Sequence, residues 1–197
     1  MGRDKALLPW PPAVCELAAS TGETLLSAAI AALKPFTDFI VVVGGKNADS
    51  IESVTAANGA WMVRNPEPER GQFSSLQIGL HEVLIRGCNA SMITLVDCPP
   101  LSAASLKHLC ASFEQAIAMG KWGVVPENSG RRGHPLIASR PLIDAFLAGP
   151  VTSNAREIKR AHAELISPVP VADSLVGVDV DTQEEYAALS GADWIQL

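Results

Sequence analysis

Apolar positions along this chain fall in short bursts separated by polar turns. Three bursts are nearly continuous: FIVVV at 39–43, MITLV at 92–96 and WGVV at 122–125. Runs this rich in β-branched residues predict strands buried on both faces. Weaker strand patterns fall at 60–64, 135–138, 165–171 and 176–180. Helical periodicity fills the intervals. Ser20-Thr21-Gly22-Glu23 reads as a capping box ahead of TLLSAAIAALK, which Pro35 stops. Ser74 or Ser75 caps SLQIGLHEVLIRG, where Leu76, Leu80, Val83 and Leu84 share one face and Gly87 ends the run. Ser102 opens a helix that aligns Leu106, Leu109, Cys110, Phe113 and Ile117, with Gly120 as its stop. A second capping box, Thr182 to Glu185, starts the last helix. Strand and helix alternate without a repeat or a linker, which predicts one α/β domain around a mostly parallel sheet.

Composition sharpens this picture. The chain has 197 residues, 48% hydrophobic and 18% charged, with mean hydropathy +0.20. That is enough apolar material for a sizeable core, which argues against disorder. Fifteen Lys+Arg against 21 Asp+Glu leave a net charge of −6. The acidic balance argues against sequence-independent nucleic-acid binding, which needs clustered cations. A local pocket for one small anion needs only a few. No apolar run is long enough for a membrane span or a secretory signal, and Ala6 stands where a myristoylation motif wants Ser or Thr. Cys15, Cys88, Cys98 and Cys110 form no C-x-x-C pair and read as reduced core thiols, consistent with a cytoplasmic protein.

In a parallel α/β sheet, chemistry collects beyond the carboxyl ends of the strands. MITLV runs directly into Asp97-Cys98-Pro99-Pro100. A carboxylate at the tip of a buried strand suits Mg²⁺, a hard cation held by one or two carboxylates plus substrate phosphates. Asp179 and Asp181 alternate on an extended segment, which puts both acids on one face. They either share a cation or cap the last helix. Near the N-terminus, Arg3 and Lys5 beside Gly2 can neutralise a di- or triphosphate. Gly44-Gly45-Lys46 matches neither a Walker loop nor G-x-G-x-x-G and reads as a tight turn. Asn65-Pro66 and the loop from Gly71 through Ser75 offer backbone donors and hydroxyls to a base or an anion. Arg131, Arg132, Gly133 and His134 form a doubly basic loop, where His134 either orients a phosphate or bonds the backbone. No nucleophile elbow is present. Acids for a metal and cations for phosphates fit phosphoryl or nucleotidyl transfer.

Six motifs occur in one order: Met1 to Pro9 (MGRDKALLP), Asn65-Pro66, Gly71 to Leu80, Leu95 to Pro99, Gly130 to Pro135, and Asp179 to Thr182. In that order they resemble the MobA-like nucleotidyltransferases, and within them the molybdenum cofactor cytidylyltransferase (MocA) type. The resemblance implies a Rossmann-like three-layer nucleotidyltransferase domain. Such a domain couples a nucleoside triphosphate, CTP first and GTP second, to a phosphorylated acceptor such as molybdopterin and releases pyrophosphate. It implies Lys5 and Asp97 as catalytic residues, with Gly2 and Arg3 shaping the triphosphate loop. It further implies Mg²⁺ on Asp97, Asp181 and Asp179. Asn65, Gly71 and Ser75 would border base and ribose, and Arg132, Gly133 and His134 would face the acceptor. A partner in molybdoenzyme maturation is also implied.

The chain departs from the family in three places. The family's first strand and glycine-rich loop, which precede its Met-Gly, have no counterpart. Residues 150–156 lack an acid and a glycine of the family segment, and Gln183-Glu184-Glu185 stands for Pro-Glu-Asp. The expectation is therefore a single domain over residues 1–197, truncated at its N-terminus, with a gap between the strands at 39–43 and 92–96. Two alternatives stand beside transfer of a nucleotidyl group. One is a nucleotide-sugar glycosyltransferase, suggested by the D-x-D at 179–181. The other is a non-catalytic nucleotide-binding module that has lost its phosphate loop.

Overall fold

The computed structural model describes residues 4–12, 22–150 and 152–189. Along the chain run α1 (Leu25–Leu33), β1 (Val41–Gly44), α2 (Ala48–Ala57), β2 (Trp61–Arg64), α3 (Gln72–Ile85), β3 (Ala90–Ile93) and α4 (Ala103–Ala118). They are followed by β4 (Gly123–Asn128), β5 (Arg131–Arg132), β6 (Leu136–Ser139), α5 (Arg140–Ala148), α6 (Ala155–Ala161), β7 (Ile166–Pro170) and α7 (Gln183–Ala188).

Local chemistry sets most of the boundaries. The Ser102 hydroxyl accepts from the Ser105 N–H and starts α4, and Thr182 with Glu185 forms the expected capping box of α7. Two helix starts differ from the sequence reading. The first helix is capped by Thr24, whose side chain pairs reciprocally with Ser27; Ser20 and Thr21 lie outside the described residues. α3 begins at Gln72, because Gly71 takes φ +85° and its carbonyl accepts from both the backbone and the hydroxyl of Ser74. The capping hydroxyl expected of Ser74 or Ser75 is thus spent inside the turn. Ile117 of α4 is exposed rather than packed, although the adjacent Ala116 is buried.

The strands form two groups. β1 and β2 pair in parallel, Val41 opposite Trp61 and Gly44 opposite Arg64. The larger sheet has the order β3-β6-β4-β5, with β7 parallel to β4. β3, β4 and β7 share one direction, and only β6 and the two-residue β5 run against their neighbours. The expected strand at 176–180 is absent. Those residues follow a turn and attach to the sheet's end through one bond, Val180 N–H to the Asp97 carbonyl at 2.8 Å.

Alternating side chains put the larger sheet between two helical layers. Val124, Ile137 and Val169 pack with Leu25, Leu106 and Leu109 of α1 and α4. Their neighbours Val125, Leu136 and Ala138 pack on the other face with Leu80, Leu142, Ile143 and Phe146 of α3 and α5. A third cluster joins Leu26 and Ile30 of α1 to Ile51 of α2, with Val42 and Met62 against it. β4 through Pro126 and all of β6 are buried, as continuous apolar runs predict. β1 and β3 depart from that expectation: Val41 to Val43 and Met92-Ile93 are only half-buried. They border a cavity of about 680 Å³ that separates the two groups of strands.

Candidate functional site

The described chain opens with a short 3-10 turn at Lys5–Leu7, capped by Asp4, whose carboxylate accepts from the Ala6 N–H. This turn aims Lys5 at the carboxyl end of β3. Its Nζ donates to Asp181 Oδ1 at 2.6 Å and lies 3.7 Å from Asp97 Oδ2. Bonding to Asp181 raises the Lys5 pKa, with the charges of Asp181 and Asp97 adding to the effect, so the ammonium stays protonated. Three residues from the beginning, middle and end of the chain thus meet at one point. Lys5 and Asp97 are about three-quarters screened from water, while Asp181 is open.

Asp181 is held from the backbone side, because its N–H and that of Thr182 both donate to Glu185 Oε2 at 2.9 and 2.8 Å. The Tyr186 hydroxyl donates to the Pro9 carbonyl and ties α7 to the Lys5 segment. The alternation expected of Asp179 and Asp181 does not apply, because 178–181 is not a strand. Asp179 instead turns to Cys98, whose thiol donates to Asp179 Oδ1 at 3.2 Å. Burial, reinforced by this bond, pushes the Cys98 thiol far above its ordinary range, so it is a donor and not a thiolate. Reading Cys98 as a plain core thiol missed this role. Its partner lies 81 residues away, and nothing local signals it.

The residue set fits a hard divalent cation. Asp97 and Asp181 already converge on one cationic atom, Lys5 Nζ, with oxygen donors only, and Asp179 flanks them through Cys98. Among the described residues no three His, Cys, Asp or Glu gather as a preformed metal cage. Two carboxylates with substrate phosphates make up the usual Mg²⁺ set, in which a closed protein cage is not required.

The remaining residues divide into linings and supports. Gln72, Ser75 and Asp97 line the cavity beside β3. Gln72, within the loop singled out in the sequence but not named there for its side chain, is the first residue of α3. Asn65 is buried and fully engaged. Its Nδ2 donates to Ser74 and Ser75 hydroxyls at 2.8 and 2.9 Å, and its Oδ1 accepts from the Glu67 N–H. It fixes the β2–α3 loop and has no free donor for a base.

On the other side, Arg132 pairs with Glu127 at 3.0 Å and extends from the β5 edge. Gly133 is a close-approach glycine, since a Cβ there would lie 2.4 Å from the Gly177 nitrogen. His134 is half-buried, and its Nδ1 lies 3.2 Å from the Ile93 carbonyl, a backbone contact of the kind foreseen for it. Burial lowers its pKa, aided by the charge of Lys159 on α6. Arg156 and Lys159 place further cations on this side, and burial lowers the Lys159 pKa. Gly2 and Arg3 lie outside the described residues, as does Cys15.

No helix among the described residues is long and apolar enough to cross a membrane. The family model of the MobA-like NTP transferase domain matches residues 1–166. Over 189 residues the chain is 21% identical to the molybdenum cofactor cytidylyltransferase of Escherichia coli K12, covering 94% of this chain and 86% of that protein. Its fold resembles that of Rv0371c from Mycobacterium tuberculosis H37Rv, with TM-score 0.74, 20% identity, and coverage of 98% of this chain and 92% of the other. A manganese complex of Rv0371c matches with TM-score 0.71 and 21% identity, over 95% of this chain and 91% of the other. The D-x-D at 179–181 divides between two partners, Asp179 accepting from Cys98 and Asp181 from Lys5. The meeting of Lys5, Asp97 and Asp181 and the match over residues 1–166 agree: this chain belongs to the MobA-like NTP transferase domain family of nucleotidyltransferases.

Proposed function

We propose that the protein is a Mg²⁺-dependent cytidylyltransferase that joins CTP, in preference to GTP, to a phosphorylated molybdopterin-like acceptor and releases pyrophosphate. The observation that carries this reading is the convergence of Lys5 on Asp97 and Asp181 at the end of β3. The likeness to the E. coli cytidylyltransferase supports the choice of base and acceptor.

In this reading an acceptor phosphate oxygen attacks the α-phosphorus in line. One P–O bond forms, the bond to the bridging oxygen breaks, and pyrophosphate carries away the electron pair. Lys5 balances the charge that grows on the departing phosphates, and Gly2 and Arg3 belong to the same loop. Asp97 and Asp181, with Asp179 beside them, would hold Mg²⁺, which when bound neutralises the triphosphate. Gly71 and Ser75 border the nucleoside, with Asn65 holding their loop in shape. Arg132 faces the acceptor, while Gly133 and His134 set the path of that loop. A neutral His134 adds no charge there.

The test is pyrophosphate release from CTP, GTP and ATP with Mg²⁺ and molybdopterin. Release with CTP above GTP and ATP, abolished by chelator, is expected. Release from GTP alone would move the base assignment, and sugar transfer from a nucleotide-sugar without pyrophosphate would overturn the reading.

A further inference from the structure

α6 is fixed at both ends and along one face. The Asn154 side chain accepts from the Glu157 N–H at 3.0 Å and starts the helix. At the far end the His162 ring lies against Trp122, with centroids 4.9 Å apart. Between these points Ala155 and Ile158 pack on the core face that carries Phe73 and Phe146. The turn ahead of α6 is held from α3, since Gln77 Nε2 donates to the Phe146 and Gly149 carbonyls at 3.0 Å each. Gly149 admits Phe73 and Ile158, because a Cβ there would lie 2.9 Å from Phe73 Cζ and 3.2 Å from Ile158 Cδ1.

Spacing of three puts Arg156 and Lys159 side by side on this anchored helix. Their charges oppose each other, and Lys159 also acts through space on the Cys98 thiol and the His134 ring. Its ammonium therefore serves the side of the Asp97 site where Cys98 bonds Asp179 at 3.2 Å. Lys159 is half-buried, yet among the described residues neither it nor Arg156 pairs with a carboxylate. The chain has 21 acids against 15 bases, and none of those described is placed here. Desolvation and the neighbouring guanidinium both disfavour the charged lysine. A bound anion relieves both.

We propose that Lys159, with Arg156 beside it, is the seat for a phosphate monoester on the acceptor. This rests on the nucleotidyl-transfer reading above and names the residue that holds its second substrate. A phosphate monoester fits because it carries about −1.5 to −2 charges at neutral pH and three acceptor oxygens, enough for two cations. The triphosphate already has a cation in Lys5, which meets Asp97 and Asp181. Lys159 addresses different groups, Cys98 and His134, so each substrate has its own lysine beside the acids. The Gln77 clamp keeps this seat in register with α3, whose first turn borders the nucleoside.

The experiment reads anion binding directly, without nucleotide or metal. The six lysines are reductively methylated with ¹³C, and the Lys159 signal is the one missing from Lys159→Arg. Phenyl phosphate should shift that signal saturably, more strongly than benzoate does. Lys159→Gln should weaken phenyl phosphate binding ~10-fold, Lys159→Arg should keep most of it, and Lys5→Ala should leave it within ~2-fold. Inorganic phosphate should compete, and CTP with Mg²⁺ should not. Equal affinity for benzoate, or a shift that never saturates, overturns the seat. So does loss of binding in Lys5→Ala but not in Lys159→Gln, or displacement by CTP, which would make this a nucleotide phosphate site. If Lys159→Gln does not fold, the Lys159 signal of the parent and its response to CTP decide. In a working transfer assay Lys159→Gln should raise the acceptor KM ~10-fold and leave the CTP KM unchanged. Saturable binding at Lys159 without transfer keeps the seat and removes the functional reading, whereas transfer with an acceptor KM indifferent to Lys159→Gln does the reverse.

Discussion

β4 and β1 are built from the same kind of residue, yet they live in different surroundings. Val124 and Val125 of β4 have strands on both sides and helices on both faces, and both are buried. Val41 to Val43 of β1 have a strand on one side and a cavity on the other, and all are half-buried. Burial of a strand therefore depends on its neighbours as much as on its own side chains. The catalytic candidates sit at the border between these two regions, where Asp97 closes the β3 end and Lys5 reaches across.

Stability separates the regions most strongly. Phe146→Ala, on the closed side and fully buried, should cost about 3–5 kcal/mol. Val42→Ala, half-buried beside the cavity, should cost clearly less, on the order of 1 kcal/mol, because its side chain packs against the Leu26 and Ile30 cluster without being enclosed. Urea denaturation of both variants measures this, and equal losses would erase the contrast.

Turnover should respond at the border without a matching loss of stability. Lys5→Ala and Asp97→Asn should each lower kcat by about 10²–10³-fold, the range for removing a group that steadies developing charge. Both variants should unfold within about 1 kcal/mol of the parent, since Asp181, the carboxylate that Lys5 bonds, is open to solvent and the Lys5–Asp97 contact is 3.7 Å long. A large stability loss with intact kcat would make Lys5 a strut and not a charge partner.

The smallest effect is a pH dependence seated on the closed side of β3. His134 has its pKa lowered by burial. A histidine depressed in the folded state keeps its full contribution above the unfolded value near 6.5. As pH falls below that value, the unfolded chain takes up the proton first and stability declines until the folded pKa is passed. The slope is at most about 1.4 kcal/mol per pH unit. Thermal melts between pH 7.5 and 5 should show this decline, and His134→Gln should flatten it.

Much of the fold was readable residue by residue. Ser102 and Thr182 sit where helix starts need a hydroxyl, and both cap as foreseen. Gly87 and Gly120 adopt positive φ where their helices stop. The apolar runs at 123–125 and 136–138 became buried strands. What failed depended on partners. Residues 176–180 have a strand's composition but only one ladder-like bond, so they fold as a turn and tail. Thr24 and Ser27 outcompeted the predicted cap because their hydroxyls satisfy each other's turn. Asn65 was expected to border base and ribose, and only its contact with Ser74 and Ser75 reveals that it also braces their loop.

The sequence by itself pointed to nucleotidyl transfer and singled out the candidate residues for it. A carboxylate must follow a buried strand to sit at its tip, and Lys5, Asp97 and Asp181 have the charges expected of a phosphate-transfer site. Their meeting is a tertiary result. Bonds at 2.6 Å between residues 176 positions apart depend on which strand ends lie together. The tertiary structure likewise decided that β1 and β3 face a cavity. Side-chain pattern reports how apolar a strand is, whereas ladder pairing depends on a backbone supplied from elsewhere.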